Sequence, residues 1–209
     1  DEVLKDCSWF HFSAISQALN EDKVELCLQA LQAASAKGLT ISIDLNYRSK
    51  LWQYGKQPEE MMSALLQHCH VVMGNIWAAE SLLGIKTAIK ASTGKSNKEL
   101  IAEAAESMKS FQEIYPSVKT IAYTFRLEEQ YFAAMLHDNE FYQSKGFLQA
   151  NIVDRVGSGD CFMAGLIYGM LNHMQPEAII NFSGAAAVGK MQEKGDSTNQ
   201  SIEDIKQKI

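Results

Sequence analysis

The segment Asp154–Gly165 reads DRVGSGDCFMAG, a Gly-Ser-Gly turn that runs directly into an apolar helix. Gly157 and Gly159 allow the backbone to turn tightly and to approach a ligand closely. Because the first free N–H groups of a helix point outward with the positive end of its dipole, this turn predicts an anion cradle. Asp160 lies at the opening of the cradle. It is either a helix cap or a general base beside a bound phosphoryl group, and the loop alone favours neither role.

The sequence around this segment alternates between two patterns. Clusters rich in Val, Ile and Phe predict strands, and segments with apolar residues at i, i+3 and i+4 predict helices. The predicted strands cover residues 9–12, 39–45, 71–73, 118–124, 131–136 and 140–143, and the predicted helices cover residues 22–37, 58–68, 76–83, 98–115, 160–171, 176–192 and 202–208. This order is typical of an α/β fold with a doubly wound, mostly parallel sheet and helices on both faces. With only 3 prolines and no Ser/Gly-rich linker, residues 1–209 are predicted to form one unit.

The composition argues against several classes of protein. The 209 residues carry 19 Lys+Arg and 25 Asp+Glu, a net charge of −6 without a dense basic run, which argues against nucleic-acid and anionic-membrane partners. No apolar stretch approaches the ~18 residues of a membrane span. The 4 cysteines form no CxxC pair, and the sequence His68-Cys69-His70 fits no common zinc spacing. We therefore predict no protein metal site and a reducing, cytoplasmic location.

Three segments carry a resemblance to a known family. The segment Asp154–Gly165 resembles the GAGD-type signature of the ribokinase-like (PfkB) carbohydrate kinases, and its Asp-Arg pair before the glycines is most similar to the 2-keto-3-deoxygluconate kinases of that family. Residues 43–52, IDLNYRSKLW, are similar to the D-x-N-x-R…LW stretch of that subgroup. Residues 6–13, DCSWFHFS, match its strand before the first helix. The resemblance runs nearly from end to end of the chain and implies a ribokinase-like fold.

The resemblance implies a role for each residue of the Gly-Ser-Gly-Asp motif. Asp160 would be the base that deprotonates a sugar hydroxyl. The backbone N–H groups of Gly157, Ser158 and Gly159 would form the anion hole for the γ-phosphoryl group that ATP transfers. Phosphoryl transfer depends mainly on positioning and electrostatic stabilisation, which a cradle of this kind can supply.

The resemblance also implies that two residues after the second predicted strand are candidates for substrate binding. Arg48 would bind the carboxylate of a sugar acid or a nucleotide phosphate, because a guanidinium forms two parallel hydrogen bonds with either group. Asn46 would bind the substrate beside it. The alternatives are a surface ion pair for Arg48 and a simple turn position for Asn46.

Further positions are expected near the nucleotide. The resemblance places Thr124, Arg126 and Asn199 there together with the two motif glycines, and Asn199 would lie near the adenine. Arg126 would replace the backbone contacts of a Gly-containing phosphate loop with a charged contact. Asp196 either belongs to the adenine loop or caps the last helix.

The sequence departs from the family pattern where magnesium is expected. The family's Asn-x-x-Glu element, which orders Mg²⁺ and its waters, would begin at Asn75, but Ala78 stands at the Glu position and Glu80 lies beyond it. Mg²⁺ is therefore expected to be held mainly through nucleotide phosphates and water, a mode of binding that this ion tolerates. Glu80 is interpreted as a surface charge of its helix. Arg155 stands where many relatives carry Thr, which leaves dependence on a monovalent cation open.

The resemblance implies ATP- and Mg²⁺-dependent phosphorylation of 2-keto-3-deoxygluconate to its 6-phosphate. A kinase for another sugar, such as fructose or ribose, and a non-catalytic nucleotide-binding module are the alternatives. Family members begin with N-terminal strands, sugar-binding residues and a lid that residues 1–209 do not include. The chain is thus expected to be the C-terminal, nucleotide-binding part of the kinase domain and to be inactive alone. The resemblance is compatible with a homodimer of the complete protein.

Overall fold

The computed structural model describes residues 2–209, whose strands form a mostly parallel mixed sheet flanked by helices. The chain divides into two compact units, of which the first ends at Tyr123 and the second spans Thr124–Ile209. The division falls inside a strand rather than in a linker. No Pro-, Gly- or Ser-rich stretch marks it.

The first unit is a series of strand–helix–strand repeats. Its elements are β1 (Trp9–Ser13), α1 (Glu21–Ala36), β2 (Thr40–Asp44), α2 (Pro58–Leu66), β3 (Val71–Gly74), α3 (Ile76–Leu83), α4 (Asn97–Ile114) and β4 (Thr120–Arg126). Strands β1 to β4 pair in chain order and are all parallel. Every residue of β3 is buried, as expected for an inner strand that helices cover on both faces. The predicted α/β architecture is confirmed.

Capping side chains define the helix starts of the first unit. The Asn20 side chain accepts a hydrogen bond from the Lys23 N–H at the start of α1. Pro58 opens α2, where its missing N–H costs nothing. Ser96 and Glu99 form a capping box at α4, and hydrogen bonds from the Ser96 backbone and side chain lower the pKa of Glu99 to about 2. Local sequence thus determines where these helices begin.

The second unit begins within β4 and continues with β5 (Gln130–His137), β6 (Glu140–Gln143), β7 (Phe147–Leu148), α5 (Ser158–Leu171), α6 (Pro176–Met191) and α7 (Ile202–Lys206). Strands β5 and β6 form the predicted antiparallel hairpin. Its turn residues Asp138 and Asn139 both have positive φ, as two-residue hairpin turns require. The short strand β7, which no periodicity could reveal, pairs antiparallel with β5.

Small residues bring α5 and α6 together. A Cβ at Gly165 would lie 2.7 Å from the Ser183 Cα, and a Cβ at Gly169 would lie 2.9 Å from the Ile179 Cγ1. This close packing fixes the axis of α5, and with it the direction in which the helix N-terminus points. Of the helices that the structure describes between residues 2 and 209, none has both the length and the apolar character needed to cross a bilayer.

Candidate active site at the start of α5

The Gly-Ser-Gly turn leaves the first turn of α5 open. Gly157 is the N-cap residue, with φ 77° and ψ −6°, and no side chain caps the helix. The Ser158 N–H, which the resemblance assigns to the anion hole, instead donates to the Arg155 carbonyl over 3.3 Å. Within residues 2–209, the N–H groups of Gly159 and Asp160 have no acceptor. The helix therefore presents two unpaired donors together with the positive end of its dipole, which suits an anion.

Gly157 is needed both for its backbone conformation and for space. A Cβ at this position would overlap the carbonyl oxygen of Asp196, and the positive φ is strained for any L side chain. The loop around Asp196 therefore lies directly against the turn. Only glycine allows this close approach of the two backbones.

The Asp154 side chain links the Gly-Ser-Gly turn to the loop around Asp196. Its carboxylate accepts hydrogen bonds from the Val156 N–H at 3.0 Å and from the Gly195 N–H at 3.2 Å. The hydrogen bond from Val156, the bond from Gly195 and the nearby charge of Lys190 lower the pKa of Asp154. Asp154 therefore holds the turn and the loop together as an anion. Both of its carboxylate oxygens already accept hydrogen bonds, so it lacks the free oxygen that a general base needs.

Arg126 lies at the N-terminus of α5. It is the last residue of β4, and its Nη2 donates to the Ser158 Oγ at 3.0 Å. The buried Ser158 hydroxyl in turn donates to the Arg155 carbonyl at 2.8 Å. Arg126 itself is exposed. The structure thus adds a guanidinium, a good ligand for phosphate oxygens, to the open helix end.

Asp160 is in the first turn of α5, and its side chain is exposed. In the described part of the chain, its carboxylate makes no capping hydrogen bond and no ion pair. The helix-cap interpretation, which the loop sequence left open, is therefore not what the structure shows. A free carboxylate at an anion cradle can accept a proton from a hydroxyl that approaches a bound phosphoryl group.

The remaining nucleotide candidates lie in the same unit. Thr124 and Arg126 are two positions apart on β4 and so point to the same face of the sheet. The backbone N–H of Asn199 donates to both carboxylate oxygens of Glu193 at 3.2 Å, and Asn199 is exposed. The alternative that Asp196 caps the last helix is wrong, because Ser201 caps α7 through a capping box.

The substrate candidates Asn46 and Arg48 lie in the first unit, at the carboxyl end of β2. Asn46 has a positive φ of 27°, its N–H donates to the Asp44 Oδ1 at 3.0 Å, and its Nδ2 donates to the Ser13 Oγ at 3.1 Å. Asn46 is thus a turn residue that also links the ends of β1 and β2. Arg48 is exposed, and no ion pair of the described residues involves it, so the surface-ion-pair interpretation is wrong.

The residues expected near magnesium are engaged elsewhere. The Asn75 side chain caps α3 by accepting from the Ala78 N–H at 2.8 Å. Glu80 pairs with Lys90 at 2.6 Å, and the hydrogen bond from Lys90 lowers the pKa of Glu80. Over residues 2–209, His, Cys, Asp and Glu side chains form no cluster of three that could hold a metal ion. Asn75 and Glu80 are thus each hydrogen-bonded to other groups of the protein.

The His-Cys-His sequence has structural contacts. Cys69 is buried and donates to the Leu65 carbonyl, and His70 Nδ1 accepts a hydrogen bond from the Ile41 N–H at 3.0 Å. His68 Nδ1 lies 3.0 Å from the Ser35 Oγ. His68 and His70 thus join the segment after α2 to α1 and β2, whereas Cys69 bonds back to α2 itself.

The α/β sheet with an open Gly-Ser-Gly-Asp cradle is a fold suited to binding a phosphate-bearing ligand, and comparison with known proteins identifies the family. The model of the pfkB family carbohydrate kinases matches residues 2–203, so the chain belongs to that family. The resemblance of the sequence motifs is confirmed.

Individual relatives support this assignment. The chain is 26% identical over 195 residues to a curated 2-dehydro-3-deoxygalactonokinase of Haloferax volcanii, with 93% of this chain and 55% of that protein covered. It is 28% identical to the crystal structure of 2-dehydro-3-deoxygluconokinase from Thermotoga maritima, with a TM-score of 0.86 and coverage of 99% of this chain and 61% of that one. The structure of a fructokinase with bound ATP from Xylella fastidiosa is 18% identical, with a TM-score of 0.71, and the match covers 94% of this chain and 59% of that one. At this low identity, the likeness shows the fold alone. The chain thus spans between half and two thirds of each relative.

Two residues of the site were not predicted from the sequence. The motif resemblance gives Asp154 no separate role, although an Asp just before a tight turn is a known signal for a side chain that binds its own backbone. No motif includes Lys190, although it interrupts the apolar run of α6, AAAVGKM. A lone charge in such a run is the signal that could have drawn attention to it.

Proposed function

We propose that this chain carries the nucleotide-binding part of a sugar-acid kinase that transfers the γ-phosphoryl group of ATP to a hydroxyl of 2-keto-3-deoxygluconate, giving the 6-phosphate. One observation carries the proposal: the Arg126 guanidinium donates to the Ser158 hydroxyl at the uncapped start of α5, the helix whose first turn also carries the exposed carboxylate of Asp160. These groups together can hold a terminal phosphate and accept a proton. The names of the relatives supply the substrate class.

In the proposed reaction, Asp160 accepts the proton of the sugar hydroxyl as its oxygen forms a bond with the γ-phosphorus. The bond from that phosphorus to the bridging oxygen breaks, and ADP leaves with the electron pair. Negative charge on the transferring group is stabilised by the N–H groups of Gly159 and Asp160 and by Arg126. Ser158 contributes its hydroxyl, which positions Arg126.

In this proposal, Mg²⁺ would be held mainly by the phosphates of the nucleotide. When bound, Mg²⁺ would neutralise phosphate charge, and it commonly keeps several waters and needs only one or two carboxylates. The engagement of Asn75 and Glu80 agrees with binding through phosphates and water. We place the reaction in the cytoplasm, since all four cysteines are free thiols and a reducing compartment keeps them so.

A second substrate has support of its own. One relative is named for the galactonate epimer and another for the gluconate. Both substrates carry a carboxylate, which the exposed Arg48 could bind. Neutral sugars such as fructose and ribose lack that group. A screen of ADP release by the full-length protein with the two 2-keto-3-deoxy acids, fructose and ribose therefore tests the function, and we expect turnover with an acid and little with the neutral sugars.

Arg48→Ala should separate the acid from the neutral substrates. Loss of a charge-assisted, bidentate contact should lower kcat/KM for the acid by about 10- to 100-fold. Residual turnover of a neutral sugar should change by less than about threefold, because it makes no such contact. Lys50→Ala removes a nearby exposed cation and is the matched control. Equal losses for acid and neutral sugars would contradict the role of Arg48.

A further inference from the structure

Lys190 is a fully buried lysine in the last turn of α6. Its ammonium donates to the backbone carbonyls of Asp154 at 3.3 Å and of Glu193 at 3.2 Å. Within residues 2–209, no carboxylate lies within ion-pair distance of it. Lysine is rarely buried without a partner of opposite charge, because removal of the ammonium from water is costly. Here two backbone carbonyls make the direct contacts, and the nearby Asp154 carboxylate lies beyond ion-pair distance.

The two carbonyls belong to the loops that form the anion cradle. Asp154 begins the turn that ends at Gly157, and its own N–H donates to the Met191 carbonyl at the end of α6 over 3.2 Å. Glu193 begins the loop whose Gly195 N–H donates to Asp154. The Lys190 ammonium therefore joins the end of α6 to both loops from the inside.

The charge of Lys190 also reaches α5. Burial raises the pKa of the Cys161 thiol, and the Lys190 charge partly offsets this effect. Cys161 follows Asp160 in the first turn of α5. The ionisable groups that the charge of the ammonium influences are thus Asp154 on the turn and Cys161 on the helix.

We propose that Lys190 is a positioning residue whose ammonium replaces a bound monovalent cation. It occupies a carbonyl-lined position that would otherwise bind an ion such as K⁺. Carbonyl oxygens that converge on one point are the ligands by which proteins bind K⁺ in place of its hydration shell. With the ammonium covalently fixed there, the cradle keeps its shape without an external cation. This inference rests on the proposed function, since it concerns the loops that would hold the nucleotide.

The wild-type protein gives the first test, which needs no variant. ATP affinity by calorimetry and ADP release by the full-length protein are measured in choline chloride and in KCl at equal ionic strength. We expect both quantities to differ by less than about twofold, because the cation position is already filled. A requirement for K⁺ in the wild type would overturn the proposal.

Variants give the second test. In choline, Lys190→Ala should lower ATP affinity by about tenfold or more, since it removes hydrogen bonds made by a charged donor. K⁺ or NH₄⁺ should restore much of this affinity with a saturating dependence, because Ala leaves room for the ion. Lys190→Met fills that room with an uncharged chain and should not be restored. Lys194→Ala, on the exposed part of the same loop, is the control.

A purely structural role of Lys190 predicts a different pattern. The loss in Lys190→Ala would then be insensitive to the identity of the cation, and that result would overturn the proposal. If Lys190→Ala does not fold in choline, we test whether a melting transition appears when KCl is added. Recovery of the folded state supports the inference, and no recovery overturns it. Failure of every sugar acid to react would overturn the proposed function, whereas the calorimetric arm would still test Lys190.

Discussion

Replacement of Asp160 by Asn is expected to lower kcat of the full-length kinase by about 10²- to 10⁴-fold, the contribution typical of a general base. Asn keeps the shape of the side chain but cannot accept the hydroxyl proton. The side chain is exposed and makes no capping hydrogen bond, so the fold should not depend on it. ATP affinity should change by less than about threefold, because the carboxylate is assigned to the sugar hydroxyl rather than to the nucleotide.

Steady-state kinetics and calorimetry on the same preparations measure the two quantities. Glu203→Gln neutralises another exposed carboxylate of the second unit and should leave both unchanged. An Asp160→Asn enzyme that keeps kcat would contradict the assignment of the base. Equal losses in kcat and in ATP affinity would instead assign Asp160 to nucleotide binding.

Gly157→Ala should have the second large effect, on ATP binding and on stability together. The new Cβ would overlap the Asp196 carbonyl, and the left-handed backbone is unfavourable for alanine. We expect the free energy of unfolding to fall by about 2–4 kcal/mol, from overpacking together with the cost of that conformation. Relief of the overlap would move the turn, so ATP affinity should fall by about tenfold or more as charge-assisted contacts are lost.

Gly195→Ala separates the two causes. Gly195 also has a positive φ, of 92°, but a Cβ there meets nothing within 4 Å. This control should lose about 1–2 kcal/mol of stability from the backbone conformation alone and should keep most of its ATP affinity. Urea unfolding and calorimetry measure both proteins. A Gly157→Ala protein that behaves as Gly195→Ala does would show that the close approach to Asp196 is unimportant.

Local sequence patterns predicted the elements of the fold well. Each predicted helix and strand is present with small shifts at its ends, because periodicity and capping residues act over a single element. Strand β7 was missed, since a two-residue strand has no period to read. The division after Tyr123 has no composition of its own, because it is a property of packing.

The site was predicted only in part. The Gly-Ser-Gly-Asp motif located the cradle, although α5 begins at Ser158, earlier than the predicted start at residue 160. The hydrogen bond between Arg126 and Ser158 joins residues that are distant in sequence, so only the fold could bring it to light. The same holds for Lys190, whose acceptors are backbone carbonyls that a sequence does not distinguish.

The central claim is that the start of α5 holds the terminal phosphate of ATP beside Asp160. A crystal structure of the full-length protein with a non-hydrolysable ATP analogue and a 2-keto-3-deoxy sugar acid tests it most directly. We predict γ-phosphate oxygens at hydrogen-bond distance, about 3 Å, from the N–H groups of Gly159 and Asp160 and from Arg126, with the Asp160 carboxylate facing the sugar hydroxyl. A nucleotide bound elsewhere, with the start of α5 free of phosphate, would contradict the claim.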